Sequence, residues 1–268
     1  NGLAPEATLT LSQFSNPAIL TVSLALLEIL RSVGLKPNCT IGASLGEYGS
    51  LVSAGVLSFE DAVELVYEFG RLAVETTLAS KMAAVLADQE TVEGVLAGVK
   101  DPVEIANYNS QGQFVITGTK RGVEQAVLDF NAKGIVAVPL RISVGYHCHL
   151  VNTCNRQFLP YLDRASWRTP LLDVYSTVGE SGLFPKKNSI DFARTAMRNM
   201  LVEKVHFQKQ VEAVQKTGQT VFIDLSPTSV MADLVHDLGG EAYGLLRPSD
   251  DELLYFMRSV LCLSMVLP

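Results

Sequence analysis

The sequence predicts an α/β protein in which a small ferredoxin-like subdomain interrupts a larger domain built on a parallel sheet. Short strand-like segments alternate with helical segments along most of the 268 residues, a pattern typical of a parallel sheet covered on both faces. Residues 82–142 differ, because their predicted order is β-α-β-β-α-β, the split βαβ pattern. We therefore expect a large domain in two parts, residues 1–81 and 143–268, around a small subdomain at residues 82–142.

The first part of the chain carries clear helix-start signals. Asn16-Pro17 precedes an apolar run that Gly34 closes, which predicts a helix over residues 17–33 with proline in its first turn. Ser58, with Asp61 three residues later, is a capping signature and predicts an amphipathic helix to residue 77. Between these helices, the pattern predicts a short strand at residues 37–41 and a buried helix at residues 47–53.

The remaining elements follow from apolar alternation and from turn residues. In the small subdomain the predicted strands are residues 82–86, 103–107, 113–117 and 136–142, and the predicted helices are residues 89–98 and 120–133. In the last part the predicted helices are residues 151–163, 190–201, 206–217 and 228–238, and the predicted strands are residues 172–177, 220–224 and 243–246.

Composition argues against several classes of protein. A net charge of −7 and a pI near 5.2 argue against a nucleic-acid-binding protein, which would need a clustered basic face. Four cysteines without a CxxC pair favour a reducing compartment and predict a cytoplasmic protein. Residues 1–6 do not resemble a secretion signal. The apolar stretches 18–30 and 253–267 are interrupted by polar or charged residues, so we expect no membrane helix.

A nucleophile motif is present near the start of the chain. Gly42-Ala43-Ser44-Leu45-Gly46 matches G-x-S-x-G between a predicted strand and a predicted helix, which is the context of the α/β-hydrolase nucleophile elbow. The glycines allow a tight turn that exposes the Ser44 hydroxyl, and the Leu45 N–H at the helix start predicts one oxyanion donor. An incidental serine in a glycine-rich turn is the alternative.

Four histidines, at positions 147, 149, 206 and 236, are the candidates for a base. His147 follows the strand that closes the small subdomain, and a strand end facing an interdomain cleft suits a general base. His149 is better interpreted as a solvated or capping residue, and His236 as a surface residue. His147 and His149 could together bind a metal, but no acidic or cysteine ligand accompanies them in the sequence, so no metal site is predicted. Cys148 is interpreted as a core thiol.

A longer set of segments resembles one known family. The matching segments are residues 42–48, 51–63, 106–110, 113–118, 145–150, 205–207 and 222–227, in the same order and over nearly the whole chain. They are similar to the malonyl-CoA:acyl-carrier-protein transacylases and to the acyltransferase domains of polyketide and fatty acid synthases. The ordered matches strengthen the assignment of Ser44 as nucleophile and His147 as base.

The resemblance implies a ping-pong mechanism without a bound cofactor. Ser44, activated by His147, would take the acyl group from an acyl-CoA thioester, and the phosphopantetheine thiol of an acyl carrier protein would then accept it. In the family a backbone carbonyl holds the base, and the position that matches here is His206. Asn107 and Asn109 match asparagines that line the site.

The sequence departs from the family in three places. It has no Gly-Gln-Gly-Ser-Gln loop, whose glutamine N–H supplies the second oxyanion donor in the family. We therefore expect either that this donor lies on a segment outside this sequence or that ordinary activity has been lost. Ala43 replaces a histidine beside the nucleophile. Phe69 replaces the arginine that pairs with a malonyl-type carboxylate, and Arg71 points about 200° away on a helix. Gly145 and Tyr146, just before the base, complete the predicted substrate-binding residues.

Three functions remain open on the sequence alone. The first is a transferase that moves a non-carboxylated acyl group from CoA to a carrier protein, because Phe69 cannot read a carboxylate. The second is a hydrolase that removes stalled acyl groups from carrier proteins. The third is a catalytically weakened docking or structural domain of a synthase, which the absent glutamine loop suggests.

Overall fold

A computed structural model describes residues 8–77, 79–218, 221–248 and 251–266 of the chain. The helices are α1 Ser12–Ser32, α2 Gly46–Ser53, α3 Phe59–Thr76, α4 Gln89–Leu96, α5 Lys120–Ala132, α6 Asn152–Arg164, α7 Ser189–Asn199, α8 Phe207–Gln215, α9 Val230–Asp237 and α10 Glu252–Val266. The strands are β1 Cys39–Gly42, β2 Ser80–Val85, β3 Val103–Ser110, β4 Gln113–Thr119, β5 Ala137–Pro139, β6 Asp173–Ser176, β7 Gly182–Leu183, β8 Val221–Asp224 and β9 Glu241–Gly244.

The large part of the fold carries parallel strand pairs, as predicted. β1 pairs with β6 in parallel, with Gly42 opposite Ser176, and β7 adds an antiparallel strand at the other edge of β6. β8 and β9 form a second parallel pair. Because the carboxyl ends of β1 and β6 lie side by side, the residues that follow them meet at one edge of the sheet.

The small subdomain is a four-stranded antiparallel sheet in the order β3-β4-β2-β5. The two middle strands are therefore the first and third in the chain, which is the arrangement that a split βαβ repeat produces. A buried apolar cluster fills the space between this sheet and helices α4 and α5. β5 is shorter than the predicted strand 136–142 and ends at Pro139, which has no N–H to donate. The predicted α/β fold with a ferredoxin-like subdomain is confirmed.

The helix that precedes the nucleophile strand begins earlier than predicted. α1 starts at Ser12, five residues ahead of Pro17, and Ser12 is buried against α3. A Cβ at Gly70 of α3 would lie 2.6 Å from the Ser12 carbonyl carbon, so a residue without a side chain lets the two backbones approach. Local sequence signals do not report such a contact. The Ser58 cap of α3 is as predicted, with its hydroxyl accepting from Asp61 N at 3.0 Å.

Helix α1 meets the length and composition of a membrane-crossing helix. This differs from our sequence-based expectation, since the helix extends beyond the apolar stretch 18–30 at both ends and spans residues 12–32. Core helices meet the same criterion, and Leu20, Leu24 and Leu27 pack into the main apolar cluster with α2, α3, α6 and α7. The residues 1–6 on which the absence of a signal was predicted lie outside the described part of the chain.

Candidate active site

The turn between β1 and α2 presents Ser44. Its backbone has a φ of 53°, in the left-handed region that side-chain-bearing residues rarely adopt. A Cβ at Gly42 would lie 2.5 Å from the Gly46 carbonyl oxygen and 2.6 Å from Glu47 N, so glycine is required where the chain doubles back on itself. Ser44 keeps partial exposure. The turn therefore has the tight geometry that the G-x-S-x-G motif predicted.

His147 meets Ser44 across 103 positions of sequence. Its Nε2 lies 2.7 Å from Ser44 Oγ, and its Nδ1 lies 3.0 Å from the Glu203 carbonyl oxygen. A carbonyl can only accept, so Nδ1 carries the proton and Nε2 is free to take one from the hydroxyl. His147 also adopts a positive φ of 63°, and its N–H donates to the Leu201 carbonyl at 2.8 Å. Nucleophile and base are thus both held in strained backbone conformations.

The carbonyl that orients His147 belongs to Glu203, so the prediction of His206 for this role is wrong. Val205 N donates to Ala106 O, and His206 N donates to Thr177 O at 2.8 Å. These bonds direct residue 206 away from the base and leave the Glu203 carbonyl facing it. The His206 ring instead stacks on Tyr108, with centroids 4.8 Å apart.

Burial determines the protonation of the base. His147 is 1 % exposed, and this desolvation lowers its pKa to about 4, against the opposing effect of the Glu203 carbonyl. Neutral imidazole therefore dominates at pH 7, as a general base requires.

We expect the acidic limb of the reaction to follow this shift. The rate at which a serine-directed fluorophosphonate labels Ser44 should stay constant from pH 7 to 5 and be half-maximal near pH 4, because the pKa of His147 is lowered to about 4. Pre-steady-state labelling measured by intact mass gives the profile. His149→Ala, at an exposed neighbour, should leave the profile unchanged. Half-maximal labelling near the ordinary histidine pKa of about 6.5 would contradict the burial argument.

The predicted oxyanion donor lies at a helix start. Leu45 is the N-cap residue of α2, with φ −51° and ψ −34°, so its amide is at the positive end of the helix. Its role in stabilising an oxyanion stays a prediction.

Phe69, on α3, belongs to a buried aromatic cluster that reaches the base through Tyr146. It is 3 % exposed, and its ring centroid lies 5.7 Å from that of Tyr48, 6.0 Å from that of Tyr146 and 5.8 Å from that of Phe158. The Tyr146 ring in turn lies 6.4 Å from the His147 ring. The side chains next to the base on this side are therefore aromatic and closely packed.

Arg71 does not replace the missing arginine. Its guanidinium donates to Glu68 at 2.8 Å and to Glu75 at 2.6 Å, both on its own helix. These carboxylates raise its pKa above the ordinary arginine value. The guanidinium is therefore engaged by two carboxylates of its own helix, and Arg71 does not take the position of Phe69.

The other predicted substrate-binding residues occupy different surroundings. Asn109 is buried, and Asn107 has an Oδ1 that is buried without a hydrogen-bond partner in the described residues. Gly145 permits a close approach, because a Cβ there would lie 2.8 Å from the Lys81 carbonyl oxygen. Ala43 packs with the apolar cluster of α8 and α9 and not with the aromatic residues around Phe69. Their roles in substrate binding stay predictions.

Sequence reasoning missed two residues, one in the site and one beside it. Glu203 contributes only its backbone carbonyl, which no side-chain pattern reports. Glu47 follows Ser44 by three positions and is 1 % exposed; a carboxylate in a helix predicted to be buried was the available signal.

The other histidines stand apart from the pair. His149 faces Glu104, with Nδ1 3.5 Å from Oε1, and its side chain is exposed. His236 lies on α9, where its ring contacts the Gly240 carbonyl at 3.2 Å. Both placements agree with the capping and surface interpretations.

Known proteins are similar to this chain in sequence and in fold. The family model described as "Acyl transferase domain" matches residues 3–245. The malonyl CoA-acyl carrier protein transacylase of Bacillus subtilis (strain 168) is 34 % identical over 241 residues, which are 87 % of this chain and 74 % of that protein.

Solved structures give the same result. The malonyl CoA-acyl carrier protein transacylase of Clostridium perfringens superimposes with a TM-score of 0.84 at 26 % identity, covering 97 % of this chain and 82 % of that one. A malonyl-transacylase solved in complex with its type II polyketide synthase acyl-carrier protein superimposes with a TM-score of 0.82 at 27 % identity, covering 95 % and 83 %. A serine elbow, a buried histidine base and these matches lead to one conclusion: the chain belongs to the acyl transferase domain family.

Proposed function

We propose that this protein transfers a non-carboxylated acyl group from CoA to an acyl carrier protein through an acyl-Ser44 intermediate, in fatty acid or polyketide synthesis. The observation that carries the enzyme assignment is the 2.7 Å approach of His147 Nε2 to Ser44 Oγ. This pairing favours an active enzyme over a weakened docking domain. The carrier protein as acceptor is supported by the relative solved with its acyl-carrier protein.

The first half-reaction follows from the positions of the two side chains. Ser44 Oγ attacks the thioester carbonyl carbon while its proton passes to His147 Nε2. The resulting imidazolium keeps its Nδ1–H bond to the Glu203 carbonyl, which stabilises the positive charge at 3.0 Å. When the tetrahedral intermediate collapses, the C–S bond breaks and the CoA sulfur takes the proton from Nε2. The acyl group remains as an ester on Ser44.

The second half-reaction reverses these steps with a different thiol. The phosphopantetheine thiol of the carrier protein gives its proton to His147 Nε2 and attacks the ester carbonyl. The C–O bond then breaks, and Nε2 returns the proton to Ser44 Oγ. Neither half needs a bound cofactor, since the acyl-CoA and the phosphopantetheine arm are themselves the substrates.

The preference for a non-carboxylated acyl group rests on Phe69. A carboxylate placed against its buried ring would lose its hydration without gaining a cation, at a cost of several kcal/mol. Arg71 is engaged by Glu68 and Glu75, so it offers no substitute. An aromatic wall accommodates an acetyl or longer alkyl group through apolar contact.

Acyl loading of Ser44 tests this preference directly. The protein is incubated separately with acetyl-CoA and malonyl-CoA, and intact mass reports the fraction of acyl-enzyme with time. We expect acetyl loading to be at least about tenfold faster, which corresponds to about 1.4 kcal/mol. Faster malonyl loading would contradict the preference, while the Ser44 mechanism would stand.

We also propose that the reaction takes place in the cytoplasm. All four cysteines, including the exposed Cys262, are free thiols, which supports a reducing compartment.

A further inference from the structure

Glu47 is a buried acidic group that the proposed mechanism does not use. It lies in the first turn of α2, three residues after the nucleophile, and is 1 % exposed. Its Oε1 accepts from Thr177 N at 2.6 Å and from Thr177 Oγ1 at 2.9 Å. Its Oε2 is buried without a hydrogen-bond partner within the described ranges. Burial raises the pKa of Glu47 to about 7, because the charged form of the carboxylate is unfavourable away from water.

Thr177 connects Glu47 to the segment that follows α7. The Thr177 carbonyl accepts from His206 N at 2.8 Å, and Gly179 N donates to the Lys204 carbonyl at 2.8 Å. These two bonds fasten residues 204–206 to the end of β6. A displacement of Thr177 would therefore move this segment with it.

The same segment begins directly after the residue that orients the base. Glu203 precedes Lys204, and its carbonyl accepts from His147 Nδ1 at 3.0 Å. Since His147 Nε2 in turn contacts Ser44 Oγ, these hydrogen bonds and the backbone of residues 44–47 and 203–206 together form a closed ring. The ring starts at Glu47, on the helix that follows the nucleophile turn, and returns to Ser44 through the base.

We propose that Glu47 is a positioning residue, which ties the Thr177 segment to the helix that follows the Ser44 turn and so keeps the Glu203 carbonyl aimed at His147. The inference rests on the proposed function and deepens it. An apolar residue of similar size would fill the same space but would leave the Thr177 N–H buried without an acceptor. A glutamine would keep an acceptor oxygen for both donors, so the ring requires the acceptor and not the charge.

Two substitutions separate positioning from simple packing. Glu47→Met removes the acceptor, and Glu47→Gln retains it. The readout is the rate of Ser44 labelling by a serine-directed fluorophosphonate, which does not depend on the acyl group, below the unfolding temperature of each variant. We expect Glu47→Met to slow the maximal labelling rate by about 10²-fold, since a misplacement of about 1 Å costs that much. Half-saturation by the probe should stay within about twofold, and Glu47→Gln should retain the wild-type rate within about threefold.

A spectroscopic readout and a control complete the experiment. The downfield proton resonance of His147 Nδ1–H should be present in wild type and Glu47→Gln and absent in Glu47→Met. Glu64→Met, at an exposed position of α3, should change neither readout. If Glu47→Met does not fold, Thr177→Val removes one of the two donors and should slow labelling about threefold to tenfold.

Three results would overturn the proposal. They are a wild-type labelling rate in folded Glu47→Met, equal slowing in Glu47→Gln and Glu47→Met, and a wild-type rate in Thr177→Val. A failure of the proposed substrate preference appears only in the acyl-CoA loading experiment and leaves this one unaffected.

Discussion

Replacing Ser44 with alanine should reduce acyl loading by about 10⁴-fold or more, because a nucleophile and its base act as a unit and the loss of either removes covalent catalysis. Ser44 Oγ is the atom that His147 Nε2 contacts at 2.7 Å, and alanine leaves that nitrogen nothing to deprotonate. Loading is measured by intact mass after incubation with acetyl-CoA. His147→Ala should give a loss of the same order.

The control for this result separates chemistry from folding. Alanine differs from serine only in the hydroxyl and meets the same positive φ of 53°, so thermal unfolding of Ser44→Ala should stay close to wild type. Ser50 lies on the short helix α2 that follows Ser44 and is hydrogen-bonded to Thr40, so the Ser50→Ala protein should still be acylated at Ser44. Loading of the Ser44→Ala protein at another residue would contradict the assignment of the nucleophile.

Replacing Phe69 with alanine should lower the free energy of unfolding by about 3–5 kcal/mol, the range for aromatic-to-alanine changes in a core. Phe69 is 3 % exposed and contacts three aromatic rings. Its removal leaves a cavity that Tyr48 and Phe158 cannot fill, because each is itself fully buried. Urea unfolding monitored by circular dichroism measures the change.

A neighbouring aromatic residue provides the comparison for Phe69. Tyr67 lies on the same helix and is 37 % exposed, so Tyr67→Ala should cost about 1 kcal/mol or less. Equal losses for the two variants would show that the aromatic cluster does not hold Phe69 as the structure indicates. The comparison also tests whether the aromatic cluster around Phe69 is a closely packed part of the core.

Much of the fold was available from local patterns. The alternation of strands and helices and the β-α-β-β-α-β order of residues 82–142 predicted the architecture, since each pattern corresponds to one way of burying an apolar face. The Ser58 cap and the elbow around Ser44 were predictable for the same reason: each depends on contacts within a few residues. The early start of α1 was not, because it depends on a contact with Gly70 in another helix.

The active site, like the fold, was predictable in part from local sequence patterns and in part only from the tertiary structure. The sequence by itself determined the nucleophile turn at Ser44 and the candidate base at His147, because each is a property of residue type in a local pattern. The loss of a cation at Phe69 was implied only by the resemblance to a known family. Only the tertiary structure decided that Glu203 and not His206 orients the base, and that Glu47 accepts hydrogen bonds from Thr177. Both depend on backbone groups and on hydrogen bonds between segments more than 50 residues apart in sequence. Such contacts cannot be predicted from local patterns of side chains, because a backbone carbonyl is the same in every residue.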